Sequence, residues 1–151
     1  MELQAPNNKK AITYIVVAFI IFSFKMIGQQ SNGLVTIYAY PINAFTKIPL
    51  NEYNIKDAAR CQIIIKEDTS LYSGIQKLVK KTTRSKDNNI KSDLRILIEI
   101  TKNDTLHLVK INKGEKICLD DTCYEYSKEI SDYILKYLPA KDKRKYTPMY
   151  Q

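Results

Sequence analysis

The hydrophobic and polar positions after residue 33 follow the periods of strands and helices in turn. Residues 34–40 are rich in β-branched and aromatic side chains and end at Pro41, which predicts a first strand. Residues 61–66 predict a second strand, and three consecutive isoleucines at its centre predict burial on both faces. Between these strands, residues 51–59 are compatible with a short helix.

Two later segments show the period of amphipathic helices. Apolar residues at 71, 75, 78 and 79 form one stripe of a helix that runs to about residue 82. Asp68, Thr69 and Ser70 precede it as candidate N-caps, and Gly74 weakens it by about 1 kcal/mol relative to alanine. Positions 130, 133, 134, 137 and 138 repeat the pattern between the candidate N-cap Ser127 and a proline.

Residues 95–101 and 106–112 flank a polar turn and predict a β-hairpin. If Asn103 and Asp104 form a two-residue turn, positions 96, 98 and 100 lie opposite 111, 109 and 107. The five aliphatic residues among these positions share one face with His107 at its edge. This face is therefore predicted to belong to the hydrophobic core.

The opposite face of this hairpin has a mixed character. It carries charged residues together with three leucines, Leu97, Leu106 and Leu108. Three leucines are more apolar surface than a solvent-exposed face needs. Either another segment of the chain or a partner is therefore expected to cover them.

A second hairpin is predicted where residues 116–119 meet residues 122–125 across a two-residue Asp-Asp turn. This register places Cys118 opposite Cys123, with their Cα atoms about 4.5 Å apart, within the range that a disulfide spans. Outside the cytosol we expect these two cysteines to be bonded, which leaves Cys61 free. In the cytosol all three would be reduced.

The order strand, strand, helix, two hairpins, helix predicts a single α+β domain over residues 34–139. Its sheet is expected to be mainly antiparallel, with both helices packed on one face. Residues 29–33 form a short linker before the domain. Residues 140–151 are basic, contain tyrosine and lack periodicity, which predicts a flexible tail.

An uncharged apolar run at residues 11–24 precedes the domain and follows two lysines. Its 14 residues are shorter than the roughly 20 that a spanning helix needs. Residues 1–28 are therefore expected to be a cleaved signal peptide, and the domain to be periplasmic or secreted. The alternatives are a buried core helix or an uncleaved anchor that contacts the membrane through residues 11–27 and keeps the N-terminus inside.

Basic residues exceed acidic ones, and the formal net charge is +8. The densest basic stretch covers the polar side of the first amphipathic helix and the loop beyond it, where Asp87 is the one acidic residue among Lys77, Lys80, Lys81, Arg84, Lys86 and Lys91. It is either a solvated helix end whose cations suit the helix dipole, or a docking patch for acidic protein or lipid headgroups. For an exported chain, nucleic acid is the least favoured partner.

Candidate catalytic chemistry is sparse. His107 is the sole histidine, which excludes a two-histidine metal site, and its strand position favours a structural role. Asp120 and Asp121 are typical turn residues. The sequence contains no nucleophile elbow, P-loop, glycine-rich dinucleotide turn or C-x-x-C motif, so neither a cofactor nor a metal is expected.

Together these features favour an exported, non-enzymatic protein that docks a protein partner, for example as an inhibitor or immunity-type protein. One alternative is a membrane-tethered accessory subunit of an envelope complex. Another is a small hydrolase with an atypical site built from Asp, Tyr and Lys. The candidate binding residues are Lys77, Lys80, Lys81, Arg84, Lys86, Leu97, Leu106 and Leu108.

Overall fold

The computed structural model describes residues 33–66, 70–88, 90, 93–113 and 115–148. The expected signal or anchor segment, the linker before Gly33, the candidate N-caps Asp68 and Thr69, Lys91 and the last three residues of the tail lie outside the described residues. Within the part of the chain that is described, no helix has the length and apolar character needed to cross a membrane.

Six antiparallel strands form one sheet in the order β2-β1-β3-β4-β5-β6. The strands are β1 (Leu34–Ala39), β2 (Cys61–Lys66), β3 (Ile96–Lys102), β4 (Thr105–Ile111), β5 (Lys116–Leu119) and β6 (Thr122–Glu125). The helices are α1 (Ile55–Ala58), α2 (Ser70–Val79), α3 (Lys128–Leu135) and a 3-10 helix (Ala140–Tyr146). An antiparallel sheet with separate helices confirms the α+β class.

Both hairpins form with the predicted registers. Asn103 and Asp104 make the first turn with φ angles of 48° and 59°, a conformation that Asn and Asp tolerate better than most residues. The residue opposite Ile100 is His107, as the turn position requires. In the second hairpin Cys118 lies opposite Cys123, and the predicted disulfide joins them.

Helices α2 and α3 pack on the same face of the sheet. Leu71 and Ile75 of α2 share one hydrophobic core with Ile130 and Ile134 of α3 and with buried aliphatic side chains of β1, β3, β4 and β5. The hydroxyl of Ser127 accepts the backbone N–H of Ile130 at 3.3 Å, which confirms the predicted N-cap. The apolar stripes predicted for the two helices are thus the faces that pack against the sheet.

The segment between β1 and β2 covers the opposite face of the sheet. Leu50 and Ile55 pack with Leu97 in a second, smaller core, and Leu108 is partly buried against it. Another segment of the chain therefore covers two of the three leucines predicted for this face. Leu106 remains 54% exposed.

Strand β2 is an edge strand, and the prediction that its centre is buried on both faces is wrong. Ile63 and Ile65 pack against the main core, but Ile64 between them is 59% exposed. The reason is the strand order: among the described residues, β2 pairs with β1 alone, and the described members of the small core on the other face include none from β2.

The segment predicted as the start of a flexible tail has a defined conformation up to Tyr146. Tyr146 is buried in the main core, and burial raises its pKa to about 12. The backbone carbonyl of Lys145 accepts the N–H of Ile42 at 3.0 Å. The buried ring of Tyr146 and this hydrogen bond hold residues 140–146 against the domain. The sequence of this segment has no periodicity that would predict the burial.

Candidate binding surfaces

The five described basic candidates are all exposed, and we call them the basic cluster: Lys77, Lys80, Lys81, Arg84 and Lys86. Within the described residues, none of them forms an ion pair. Arg84 makes a β-bridge to Tyr124, and the N–H of Ser85 donates to the carbonyl of Cys123 at 2.9 Å. The cluster therefore runs from the end of α2 along the outer edge of β6.

Three side chains beside this surface form a polar cluster: Tyr72, His107 and Asp120. One carboxylate oxygen of Asp120 accepts the backbone N–H of Leu108 at 2.9 Å. The other accepts the Tyr72 hydroxyl at 2.9 Å and lies 3.3 Å from Nδ1 of His107. The rings of Tyr72 and His107 stack with their centroids 4.6 Å apart. The polar cluster thus fastens α2, β4 and the β5–β6 turn to one another.

The electrostatics of the polar cluster suit a structural role. Burial, followed by the hydrogen bond to Asp120, raises the pKa of Tyr72 to about 12. Burial opposes ionisation of Asp120, but hydrogen bonds from Leu108, Tyr72 and His107 outweigh it and lower its pKa. At neutral pH the phenol is therefore protonated and donates to a carboxylate, so it is a poor nucleophile. The described residues also contain no group of three metal-ligating side chains.

Replacing Asp120 with asparagine is expected to flatten the acid dependence of stability. Because the folded-state pKa of Asp120 is lowered, its contribution is present above the ordinary value of 3.8 and is lost as the pH falls through and below it. Asp120 is partly exposed, so solvent screening limits the change in unfolding free energy to about 1 kcal/mol. Urea unfolding from about pH 6 to about pH 2 measures this change.

Asparagine is a suitable replacement because Asp120 has a φ of 49°, which asparagine also adopts readily. The matched control is Asp121→Asn at the other, exposed turn position, which should keep the wild-type acid dependence. An Asp120→Asn curve that runs parallel to the wild-type curve would show that the carboxylate contributes nothing.

The most exposed large apolar side chains lie around α1, on the opposite face of the sheet. Phe45, Ile48 and Tyr53 are 86%, 70% and 88% exposed, and with Leu106 they form what we call the apolar surface. A cavity of about 440 Å³ on one side of α1 is lined by Phe45, Ile48 and Leu50 among others. A second cavity of about 240 Å³ on the other side is lined by residues that include Tyr53, Leu106 and Leu108.

Charged pairs border the apolar surface. Nζ of Lys56 lies 2.5 Å from Oε1 of Glu99, and Nζ of Lys110 lies 2.9 Å from Oε1 of Glu52. The hydrogen bond to Glu99 raises the pKa of Lys56, which keeps this cation charged. An apolar centre with a rim of both charges is the usual arrangement of a protein–protein interface.

The sequence-predicted binding residues do not form one site. The basic cluster lies beside α2 and β6, whereas the three leucines belong to the other face of the sheet. Leu97 is buried beneath the segment that carries α1, so it offers no surface to a partner, and Leu108 is only partly accessible. Leu106 alone among the three leucines is an exposed member of the apolar surface.

Sequence reasoning missed Phe45, Ile48 and Tyr53. Phe45 and Ile48 fall in residues 43–49, which were predicted to be loop, and Tyr53 falls in residues 51–59, which were predicted to be compatible with a short helix. The available signal was the presence of three large apolar residues in a segment that is too irregular to bury them all.

Comparison with known proteins finds no matching family model, no matching curated protein and no matching solved structure.

Proposed function

We propose that this chain is an exported, non-enzymatic binding protein that docks a protein partner through the apolar surface. The observation that carries the proposal is the presence of exposed large apolar side chains on both sides of α1, where Phe45 and Ile48 line one cavity and Tyr53 and Leu106 line the other. Isolated exposed apolar residues are common, but a grouped set rimmed by charges is typical of an interaction site. An inhibitor or immunity-type protein is one concrete form of this role.

The apolar surface is favoured over the basic cluster on chemical grounds. Interface centres are enriched in aromatic residues and depleted of lysine, and a few aromatic anchors carry most of the binding energy. Phe45 and Tyr53 fit the description of such anchors. The basic cluster, with four lysines among its five residues, fits a solvated rim or a surface that steers an acidic partner during encounter.

Export is supported by the Cys118–Cys123 disulfide, because disulfides persist in oxidising compartments and are rare in the cytosol. It agrees with the expected signal peptide at residues 1–28. A membrane-tethered accessory subunit, in which residues 11–27 remain as an anchor, would use the same apolar surface. Export with little catalytic equipment favours binding over hydrolysis, since the one oriented histidine belongs to a cluster that holds structural elements together.

Binding is tested by recovering the partner with the tagged chain from its native source and then measuring the dissociation constant of the purified pair. Tyr53→Ala is expected to weaken binding by about 30-fold, as for an interface anchor worth about 2 kcal/mol. Phe45→Ala should weaken it to a similar extent. Neither change should alter folding, since both side chains are highly exposed.

The matched control removes charge from the basic cluster with Lys80→Ala and Lys81→Ala, which should change the affinity by about threefold or less at physiological salt. Loss of binding in this control, with full binding by the Tyr53→Ala protein, would reject the apolar surface as the docking site. Turnover of a substrate that Asp120→Asn abolishes would reject the non-enzymatic role.

A further inference from the structure

The two edge strands of the sheet, β6 and β2, differ in whether another segment of the chain forms hydrogen bonds with their outer side. Along β6, the N–H of Ser85 donates to the carbonyl of Cys123 at 2.9 Å, and the N–H of Glu125 donates to the carbonyl of Thr83 at 3.0 Å. The chain after α2 therefore occupies that edge. Along β2, among the described residues, only β1 on its inner side pairs with the strand. A long, open edge strand is a template for pairing with another chain.

We infer that the open edge of β2 binds the β2 strand of a second copy of this chain. Two copies would pair antiparallel about a two-fold axis perpendicular to the sheet, which joins two six-stranded sheets into one of twelve strands. This inference is independent of the proposed docking role, because the apolar surface around α1 is not part of the β2 edge.

The geometry of the two-fold axis restricts the register. An axis perpendicular to the sheet reverses the strand direction but leaves each face on its own side. Residues that lie opposite each other across the axis must therefore come from the same face. In β2, the odd positions pack on the main core and the even positions point away from it. The sum of two opposed residue numbers is consequently even.

One register satisfies the side chains on both faces. With Ile64 on the two-fold axis, it meets Ile64 of the second copy, and Lys66 lies opposite the neutral Gln62. On the core face, Ile63 lies opposite Ile65, so apolar residues meet apolar residues in every central pair. The strand is thus self-complementary, which is the reason to assign its partner as a second copy.

The neighbouring registers are less favourable. An axis at Ile63 places Arg60 directly opposite Lys66, and like charges in that position are destabilising. An axis at Ile65 instead places Ile64 opposite Lys66. Either shift sets Lys66 against a residue that does not suit it.

Pairing in the favoured register would also complete the burial of β2. Ile63 and Ile65 are only partly buried against the main core, although they belong to it. A second core of the same composition would meet them across the axis. The exposed side chain of Ile64 would be covered on the other face by its own copy.

The test uses the full chain in two sets of variants. The first set compares Ile64→Lys with Leu106→Lys. Both variants replace an exposed apolar strand residue, but only residue 64 lies on the proposed two-fold axis. Light scattering after size exclusion should show dimers for the wild type and Leu106→Lys. For Ile64→Lys, the dimer dissociation constant should rise by about tenfold or more, because two lysines would face each other.

The second set tests the register by cross-linking in a Cys61→Ala background. Under mild oxidation Ile64→Cys should form a disulfide-linked dimer, because opposed strand residues lie within reach of a disulfide. Leu106→Cys should remain monomeric on a non-reducing gel. A monomeric wild type, a dimer that survives Ile64→Lys, or equal cross-linking by Leu106→Cys would overturn the inference. The second of these results would indicate association through another part of the chain.

Discussion

Replacing Asp93 with asparagine is expected to destabilise the domain by about 3 kcal/mol, because it leaves a buried cation without its counter-charge. The guanidinium of Arg95 is 1% exposed and lies 2.8 Å from a carboxylate oxygen of Asp93. It also donates to the carbonyl of Pro41 at 3.3 Å and lies over the ring of Tyr40 at 5.3 Å. These neutral contacts cannot replace the carboxylate.

The effect should be asymmetric between the two partners. Arg95→Met removes the buried charge and keeps much of the packing volume, so its cost is expected to be smaller than that of Asp93→Asn. Adding Arg95→Met to Asp93→Asn should therefore recover stability. Because Asp93 has a φ of 61° and asparagine adopts this conformation readily, the asparagine variant tests the charge rather than the backbone.

Urea unfolding of the single and double variants measures these differences as a thermodynamic cycle. The control is Lys113→Met, which removes a second cation 3.6 Å from Asp93 but is half exposed, and should cost less than about 1 kcal/mol. If Asp93→Asn costs no more than this control, the buried pair contributes little to stability.

Alanine at position 74 is expected to destabilise the domain by about 1–3 kcal/mol, although alanine is the better helix former by about 1 kcal/mol. A Cβ atom at Gly74 would lie closer than 3.0 Å to the hydroxyl and two ring atoms of Tyr133. The Tyr133 hydroxyl also donates to the backbone carbonyl of Ser70 at 3.2 Å. The ring cannot move away without disturbing the contact between α2 and α3.

The sign of this effect should reverse when the ring is absent. In a Tyr133→Ala background, Gly74→Ala removes no contact and should stabilise the domain by about 1 kcal/mol through helix propensity alone. Thermal or urea unfolding of the four proteins gives the coupling between the two positions. Stabilisation by Gly74→Ala in the wild-type background would show that Tyr133 relaxes at little cost.

The features that depend on neighbouring residues in the sequence, namely hairpin registers and amphipathic helices, could be predicted. The two hairpins could be placed residue by residue, because a two-residue turn fixes which positions lie opposite each other. The pairing of Cys118 with Cys123 followed from the same rule. The stripes of α2 and α3 identified the helices and the face that they bury, and Ser127 marked the start of α3.

Features that depend on tertiary order were not predictable. The exposure of Ile64 depends on β1 lying between β2 and β3, and the sequence of β2 carries no sign of its place at the edge. Arg95 belongs to the hairpin face that was expected to be mixed and is instead buried, beside a partly exposed Asp93. Gly74 was predicted to weaken its helix, whereas the structure shows that the ring of Tyr133 occupies the space that a Cβ atom at this position would need. Phe45 and Ile48 of the apolar surface escaped prediction because they lie in an irregular segment, whereas Leu106 of strand β4 was among the predicted binding residues.

The proposed role depends on the polypeptide leaving the cytosol, and the mass of the natural product tests this directly. Intact mass spectrometry under non-reducing conditions should find a chain that begins near Gln29. Its mass should be about 2 Da below that of the fully reduced chain, as expected for one disulfide. A cytosolic product that retains Met1 and has three titratable thiols would contradict export, the disulfide and the favoured role together.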